Sequence, residues 1–227
     1  MSKVIVVFGA TSGIGLDIAL SLSGDNKVYA IGRDIDKVDM YKDKMTLISL
    51  DVTDFENAFK VLKTIETPDI VIFCAGCAYY GLHETISKDA IKQIIDTNLT
   101  SPMEITSFYL PYFKNRKSGR FIFISSITAD HINTHACCYG ASKAGLTSFA
   151  TSLFDEVRKH NIKVNIISPD LTSTDLYRNA DFMPDEDYSL KASDVTECVK
   201  YCISQPDNVD ILEVKIRPQQ NKILKTN

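Results

Sequence analysis

The chain has 227 residues, 44% of them hydrophobic, which is enough apolar material for one substantial core, so a single domain over 1–227 is expected. Its 25 basic and 29 acidic residues give a net charge of −4 and are scattered, without the clustered Lys/Arg face that a nucleic-acid backbone would require. No apolar run approaches the roughly 20 residues that span a bilayer, and Met1-Ser2-Lys3 leads directly into a strand-like run instead of a signal-peptide pattern, so no membrane partner and a cytoplasmic location are expected.

The first apolar run, Val4-Ile-Val-Val-Phe8, is β-branched and continuous, as in a parallel strand buried on both faces. Gly9-Ala-Thr-Ser-Gly13-Ile-Gly15 follows, and then Ile14, Ile18 and Leu22 recur at helical spacing toward Gly24. Further strands are predicted over 27–31, 45–50, 70–74, 120–125 and 162–167. A helix over 55–65 turns Phe59 and Leu62 inward. Ser87 caps a helix through Ile91, Ile94 and Ile95 to Asn98, and Pro102 marks a break or kink before a helical stretch over 105–113. A long helix runs over 139–160, Ser193 caps one through Val195 and Val199, and Leu212, Val214 and Ile216 alternate as a last strand. Strand and helix alternate throughout, which implies βαβ units with right-handed crossovers. The expected fold is α/β: a Rossmann-like three-layer αβα sandwich around a doubly wound parallel sheet of about seven strands. One stretch, 171–192, is irregular and polar, and a connection of that length reads as a binding loop over a site.

Three features carry chemistry. The glycines at 9, 13 and 15 permit a tight turn whose backbone N–H groups, with the helix N-terminus, can hold a pyrophosphate. Ser126 follows the strand-like run ending at Ile124, and Tyr139 and Lys143 are four residues apart on one helix face. Such a trio can bind an oxygen, move a proton and hold a cation beside a phenol. Of the six cysteines, Cys74 and Cys77 form a C-x-x-C pair, but zinc needs two more ligands and Cys137-Cys138 are adjacent, so no metal is expected and reduced thiols are the default.

In this order the motifs resemble the short-chain dehydrogenase/reductase family across nearly the whole chain. The turn containing Gly9, Thr11, Ser12, Gly13, Ile14 and Gly15 is similar to that family's cofactor loop, with Phe8 where a Thr is often found. Asp51-Val52 resembles the pair flanking the adenine ring, and Ala75-Gly76 the segment passing close to the cofactor. Asn98, Ser126 and Tyr139-Gly-Ala-Ser-Lys143 resemble the catalytic set. Two departures stand out: Cys74 replaces the usual Asn, which puts the local backbone bracing in question, and Asp170 replaces the Gly after Pro169, where the turn is expected to survive because Asp tolerates unusual backbone angles.

The resemblance implies an oxidoreductase that transfers a hydride between a nicotinamide and a small carbonyl or alcohol. Tyr139 would act as general acid/base, Lys143 would lower its pKa and bind the nicotinamide ribose, Ser126 would contact the substrate oxygen and Asn98 would hold a water that relays protons. Thr172 and Thr174 would meet the carboxamide end of the cofactor, and Leu176, Tyr177 and Met183 would cover the substrate. His131 and His135 flank the entrance. Gly32 and Arg33 at the tip of the second strand favour NADP(H), because arginine pairs with a 2′-phosphate; Asp34, a ribose-reading carboxylate by position, keeps NAD(H) as the alternative. A homodimer or homotetramer through the helices bearing Asn98 and Tyr139 is implied. A nucleotide-sugar epimerase would need a larger C-terminal part than the residues after Pro169 supply. A catalytically silent NAD(P)-binding sensor or scaffold is the remaining alternative.

Overall fold

Side chains of the central strands alternate between two apolar layers, and this alternation builds the molecule. In β1 (Val4–Phe8), Ile5 and Val7 face one layer and Val6 and Phe8 the other. A computed structural model describes residues 2–225; Met1 and residues 226–227, at the ends of the expected domain, lie outside the described residues. The strands β1, β2 (Lys27–Gly32), β3 (Thr46–Ser49), β4 (Ile70–Phe73), β5 (Gly119–Ile124), β6 (Ile162–Pro169) and β8 (Glu213–Ile216) form one seven-stranded sheet in the order β3-β2-β1-β4-β5-β6-β8. Every pairing in it is parallel.

On one face α1 (Gly13–Leu22) and α6 (Ala192–Ser204) bury Ile18, Leu22, Val195, Val199 and Cys202. On the other, α2 (Phe55–Leu62), α4 (Ser101–Arg116) and α5 (Cys137–Val157) bury Leu62, Ile105, Tyr109, Phe113, Leu146 and Leu153. The expected Rossmann-like three-layer sandwich is what forms. Each large side chain buried in these layers contributes about 1.5–3 kcal/mol. Phe8, Phe73 and Phe123 are cross-strand partners near the carboxyl ends of β1, β4 and β5. Their rings stack at centroid distances of 5.6 and 4.9 Å within the core, which gives the phenylalanine at position 8 a packing use.

Three features differ from the sequence expectation. The helix after Ser87, α3 (Lys88–Ile95), is not broken near Pro102: it passes through a π-turn (Asp96–Thr100) into α4, and the wide turn absorbs the proline's missing N–H. Ser87 does cap it, accepting from the Ala90 N–H. Ser193 is not a cap; it lies in the first turn of α6, while Asp194 accepts from the Lys191 N–H at 2.8 Å. The stretch 171–192 is not wholly irregular, because β7 (Phe182–Pro184) pairs antiparallel with β9 (Ile223–Lys225). Only one backbone bridge, Thr172 with Leu190, otherwise closes that loop on itself.

Candidate active site

The strand order reverses between β1 and β4, the position where open α/β sheets bind ligands beyond their carboxyl ends. The glycine turn after β1 meets the chain leaving β4 there. Gly9 has φ +81°, and a Cβ on it would lie 2.4 Å from the Ala75 nitrogen; a Cβ on Gly15 would lie 2.2 Å from the Gly9 carbonyl oxygen. Glycine is therefore required at both positions. Above this turn opens a cleft of about 1010 Å³ that runs from Arg33 to Tyr139. Every cofactor residue expected from the sequence lines it, as do Ser126, His131 and His135. Of the expected catalytic set Asn98 alone does not; it is fully buried beneath the cleft.

At the β2 end, Arg33 stands 3.9 Å from Asp51 with both side chains about half exposed, a contact worth little by itself. The Asp51 carboxylate instead accepts from the Thr53 N–H and hydroxyl at 2.9 and 2.7 Å. Asp34 pairs with Lys37 at 3.0 Å, which holds its carboxyl below the usual range. Arg33 thus keeps its guanidinium in the cleft wall while Asp34 has a neighbouring cation of its own.

At the β5 end, α5 brings Tyr139 and Lys143 into the cleft, each 5% exposed. The Lys143 ammonium donates to the Ile124 carbonyl at 2.7 Å and lies 5.8 Å from the Tyr139 ring centre. Burial pushes Lys143 down to about 8. Burial also pushes the Tyr139 phenol well above the ordinary tyrosine range, reinforced by Tyr177 and opposed by a hydrogen bond with Ser126. The expected lowering of the phenol by Lys143 is not found; burial sets the direction instead. Ser126 accepts from the Thr128 N–H and hydroxyl at 3.2 and 2.9 Å, which leaves its own O–H to point toward the Tyr139 phenol oxygen.

The bracing that Cys74 cannot provide comes from Asn98. Its side-chain oxygen accepts from the Cys77 N–H at 2.9 Å, and its amide donates to the Cys77 carbonyl at 2.9 Å and to the Ser142 hydroxyl at 3.0 Å. With its side chain engaged in this way, Asn98 could hold a relay water only through its backbone. Burial raises both thiols of the C-x-x-C pair, Cys74 to about 12, so they stay neutral, and among the described residues no cluster of three or more metal-ligating side chains exists. The turn at Asp170 survives, for a reason other than the one expected. Asp170 has no positive φ; its N–H donates to the Ile216 carbonyl at 2.9 Å and its carboxylate lies 3.8 Å from Arg217.

Over Tyr139, Tyr177 and Leu176 take the covering positions expected of them, but Met183 does not. It is 50% exposed, and strand alternation in β7 turns Phe182 to the cleft in its place. Tyr80, from the loop after β4, stacks on Tyr177 at 5.7 Å and meets Phe182 edge-on at 5.1 Å. Neither Phe182 nor Tyr80 stood out in the sequence. The aromatic pair Tyr79-Tyr80 in a loop at a strand's carboxyl end was the available signal for Tyr80. Thr172 is buried and donates to the Asp170 carbonyl, while the methyl of Thr174 rests over Gly13.

Residues 3–184 match the family model described as short chain dehydrogenase. The chain belongs to the short chain dehydrogenase family. It is an enzyme of the oxidoreductase class by that membership. An uncharacterized oxidoreductase of Staphylococcus epidermidis is 30% identical over 225 residues, covering 95% of this chain and 97% of the relative. A closed form of serine dehydrogenase complexed with NADP+ superposes with a TM-score of 0.86 at 24% identity over 95% of this chain and 94% of its own, a likeness of fold. A metagenomic short-chain oxidoreductase in complex with NADP has a TM-score of 0.81 at 25% identity over 96% and 97%. Among the described residues no helix is long and apolar enough to cross a membrane.

Proposed function

We propose that this short chain dehydrogenase interconverts a small alcohol and its carbonyl with NADP(H), using Tyr139 as the general acid/base. The observation that carries the reading is the buried phenol of Tyr139 beside Ser126 and Lys143, at the far end of a cleft that begins on the glycine turn. The turn fits a dinucleotide: it brings backbone N–H groups and the N-terminus of α1 to one wall, in a tight packing against Ala75 and the Gly9 carbonyl that a Cβ at position 9 or 15 would break. Gly13 and Ser12 would hold the pyrophosphate, Asp51, Val52, Ala75 and Gly76 the adenosine half, and Lys143, Pro169, Thr172 and Thr174 the nicotinamide half. A nicotinamide supplies the hydride when bound.

The chain's own residues supply the rest. The Tyr139 phenol gives its proton to the carbonyl oxygen as charge develops there, and the O–H of Ser126 turns from the phenol to donate to the same oxygen. Lys143, held near the midpoint between its charged and neutral forms at mildly alkaline pH, returns a proton to the phenolate. Arg33 favours NADP(H) by pairing with the 2′-phosphate; NAD(H) is the alternative through Asp34. We read the protein as one dinucleotide-binding unit, cytoplasmic, forming a homodimer or homotetramer through α4 and α5.

Tyr139→Phe tests the reading. Turnover of carbonyls with NADPH should fall by about 10²–10⁴-fold while NADPH binding, read by its fluorescence, stays intact. Retained turnover refutes the role of Tyr139, and a wild-type enzyme inert toward every carbonyl supports the silent sensor. A clear preference for NADH in the same titration removes the role given to Arg33.

A further inference from the structure

The space directly over Tyr139 is walled by rings from three separate segments. Tyr80 leaves β4, Tyr177 sits in a short 3₁₀ turn (Asp175–Asn179), and Phe182 lies in β7. Tyr80 stacks on Tyr177 at 5.7 Å and meets Phe182 edge-on at 5.1 Å; Tyr177 and Phe182 are 5.5 Å apart, and Tyr80 stands 6.4 Å from Tyr139 itself. Ala78, Ala136 and Leu176 close the gaps beside them. All three rings are only partly buried, so each keeps a face on the cleft.

Two of the polar groups near this wall are engaged, and four charged ones stand at the rim. The Lys143 ammonium donates to the Ile124 carbonyl, and the Asn179 amide donates to the Ala78 carbonyl at 3.3 Å. Asp175, Arg178, Asp181 and Lys225 are exposed at the mouth, two acids beside two bases. The cation nearest Tyr139, the Lys143 ammonium 5.8 Å from its ring centre, is bound to the Ile124 carbonyl, and Arg178 and Lys225 stand at the mouth beside acids. A carboxylate seated among the rings themselves would lose its water without a fork of donors there to replace it, whereas a flat apolar group would gain edge and face contacts with them.

We infer that the substrate of this site carries an aryl or similarly flat apolar group next to its carbonyl or carbinol carbon, and is not a hydroxy amino acid of the serine type. This rests on the proposed role of Tyr139 and deepens it by naming the substrate class. The rings set which molecule is held; Tyr139 sets what happens to it.

Two measurements on the holoenzyme test the class. In the first, wild-type enzyme is assayed with NADPH against benzaldehyde and propanal, and with NADP+ against 1-phenylethanol and L-serine. The aryl compounds should lead in kcat/KM by at least about tenfold, and Tyr80→Ala or, if that variant folds poorly, Tyr80→Leu should cut this ratio by about tenfold. A preference for L-serine, or a ratio unchanged in both Tyr80 variants, overturns the inference. In the second, 1-phenylethanol and L-serine are titrated calorimetrically into Tyr139→Phe enzyme loaded with NADP+. Binding of the aryl alcohol alone supports the class even where no turnover is found, in which case only the role of Tyr139 fails. Binding of L-serine, or of neither compound, sinks the class whatever Tyr139 does.

Discussion

Asn98 grips the backbone of Cys77 at two points, accepting from its N–H and donating to its carbonyl, each at 2.9 Å, from a π-turn that joins α3 to α4. The family's usual bracing residue is replaced by Cys74, so the path of the segment beside the cofactor cleft depends on this grip. Asn98→Ala leaves two buried backbone groups unpaired, at about 1–3 kcal/mol each. The melting temperature should fall by roughly 5–15 °C, and amide exchange at Cys77 and Ala78 should accelerate by more than exchange in β1. An unchanged exchange pattern would mean that the segment is held elsewhere.

The Asn98 contact also shows what reading the chain as a string of residues leaves out. The continuous apolar runs of β1, β4 and β5 declare buried parallel strands by themselves, and the glycines at 9 and 15 declare a turn that no other residue fits. Ser126, Tyr139 and Lys143 were readable because one strand end and one helix face bring them together. The partner of Asn98 was not, since nothing within 21 residues of it points to Cys77. Phe182 was hidden for a related reason. Its strand is three residues long and exists because residues 223–225 pair with it, so no local pattern distinguishes it from a loop or says which of Phe182 and Met183 turns inward.

Burial of Lys143 has a signature in stability against pH. Its folded value is about 8 and its ordinary value 10.5, so between these limits the unfolded chain binds the extra proton. Stability therefore carries a cost below pH 8 that is relieved as pH rises toward 10.5. Lys143→Met removes that cost. In urea denaturation, the stability of wild type relative to Lys143→Met should improve as pH rises from 8 to 10, by at most about 1.4 kcal/mol per pH unit. A difference that stays flat across this range contradicts the burial of a charged ammonium.

At the opposite end of β5 from Ser126, Arg120 is 6% exposed. It donates to Asn165 at 2.5 Å and lies 3.8 Å from Asp210. Asn165 donates to Asp210 at 2.7 Å, and Asp210 accepts from the Val164 N–H at 2.9 Å, so the network fastens the chain before β8 to β6. Arg120→Met removes one partner and leaves the acid buried, at about 3–5 kcal/mol. Adding Asp210→Asn should restore part of that loss, and chemical denaturation of the two single variants and the double variant measures the coupling. Simple additivity would show that the pair does not interact.

The pairing of β9 with β7 makes residues 221–225 a strap on the segment that carries Tyr177 and Phe182. Its contacts are few: three residue pairs in register, the Asp185 N–H donating to the Lys222 carbonyl at 3.0 Å, and an ion pair between the same two residues at 3.0 Å. Lys222 is 56% exposed, so the ion pair adds little, and the backbone pairing does most of the holding. A chain ending at Gln220 should keep its melting temperature within a few degrees, because none of the severed contacts reaches the two apolar layers. Cleavage between 175 and 190 by a nonspecific protease should nevertheless accelerate by about tenfold or more, since the loop is then tied mainly by the bridge between Thr172 and Leu190 and by its contacts with Ala78 and Tyr80. KM for the carbonyl should rise while NADPH binding stays nearly constant, because the rings over Tyr139 lose their support and the glycine turn does not. Equal weakening of both ligands would show instead that the strap holds the whole cleft.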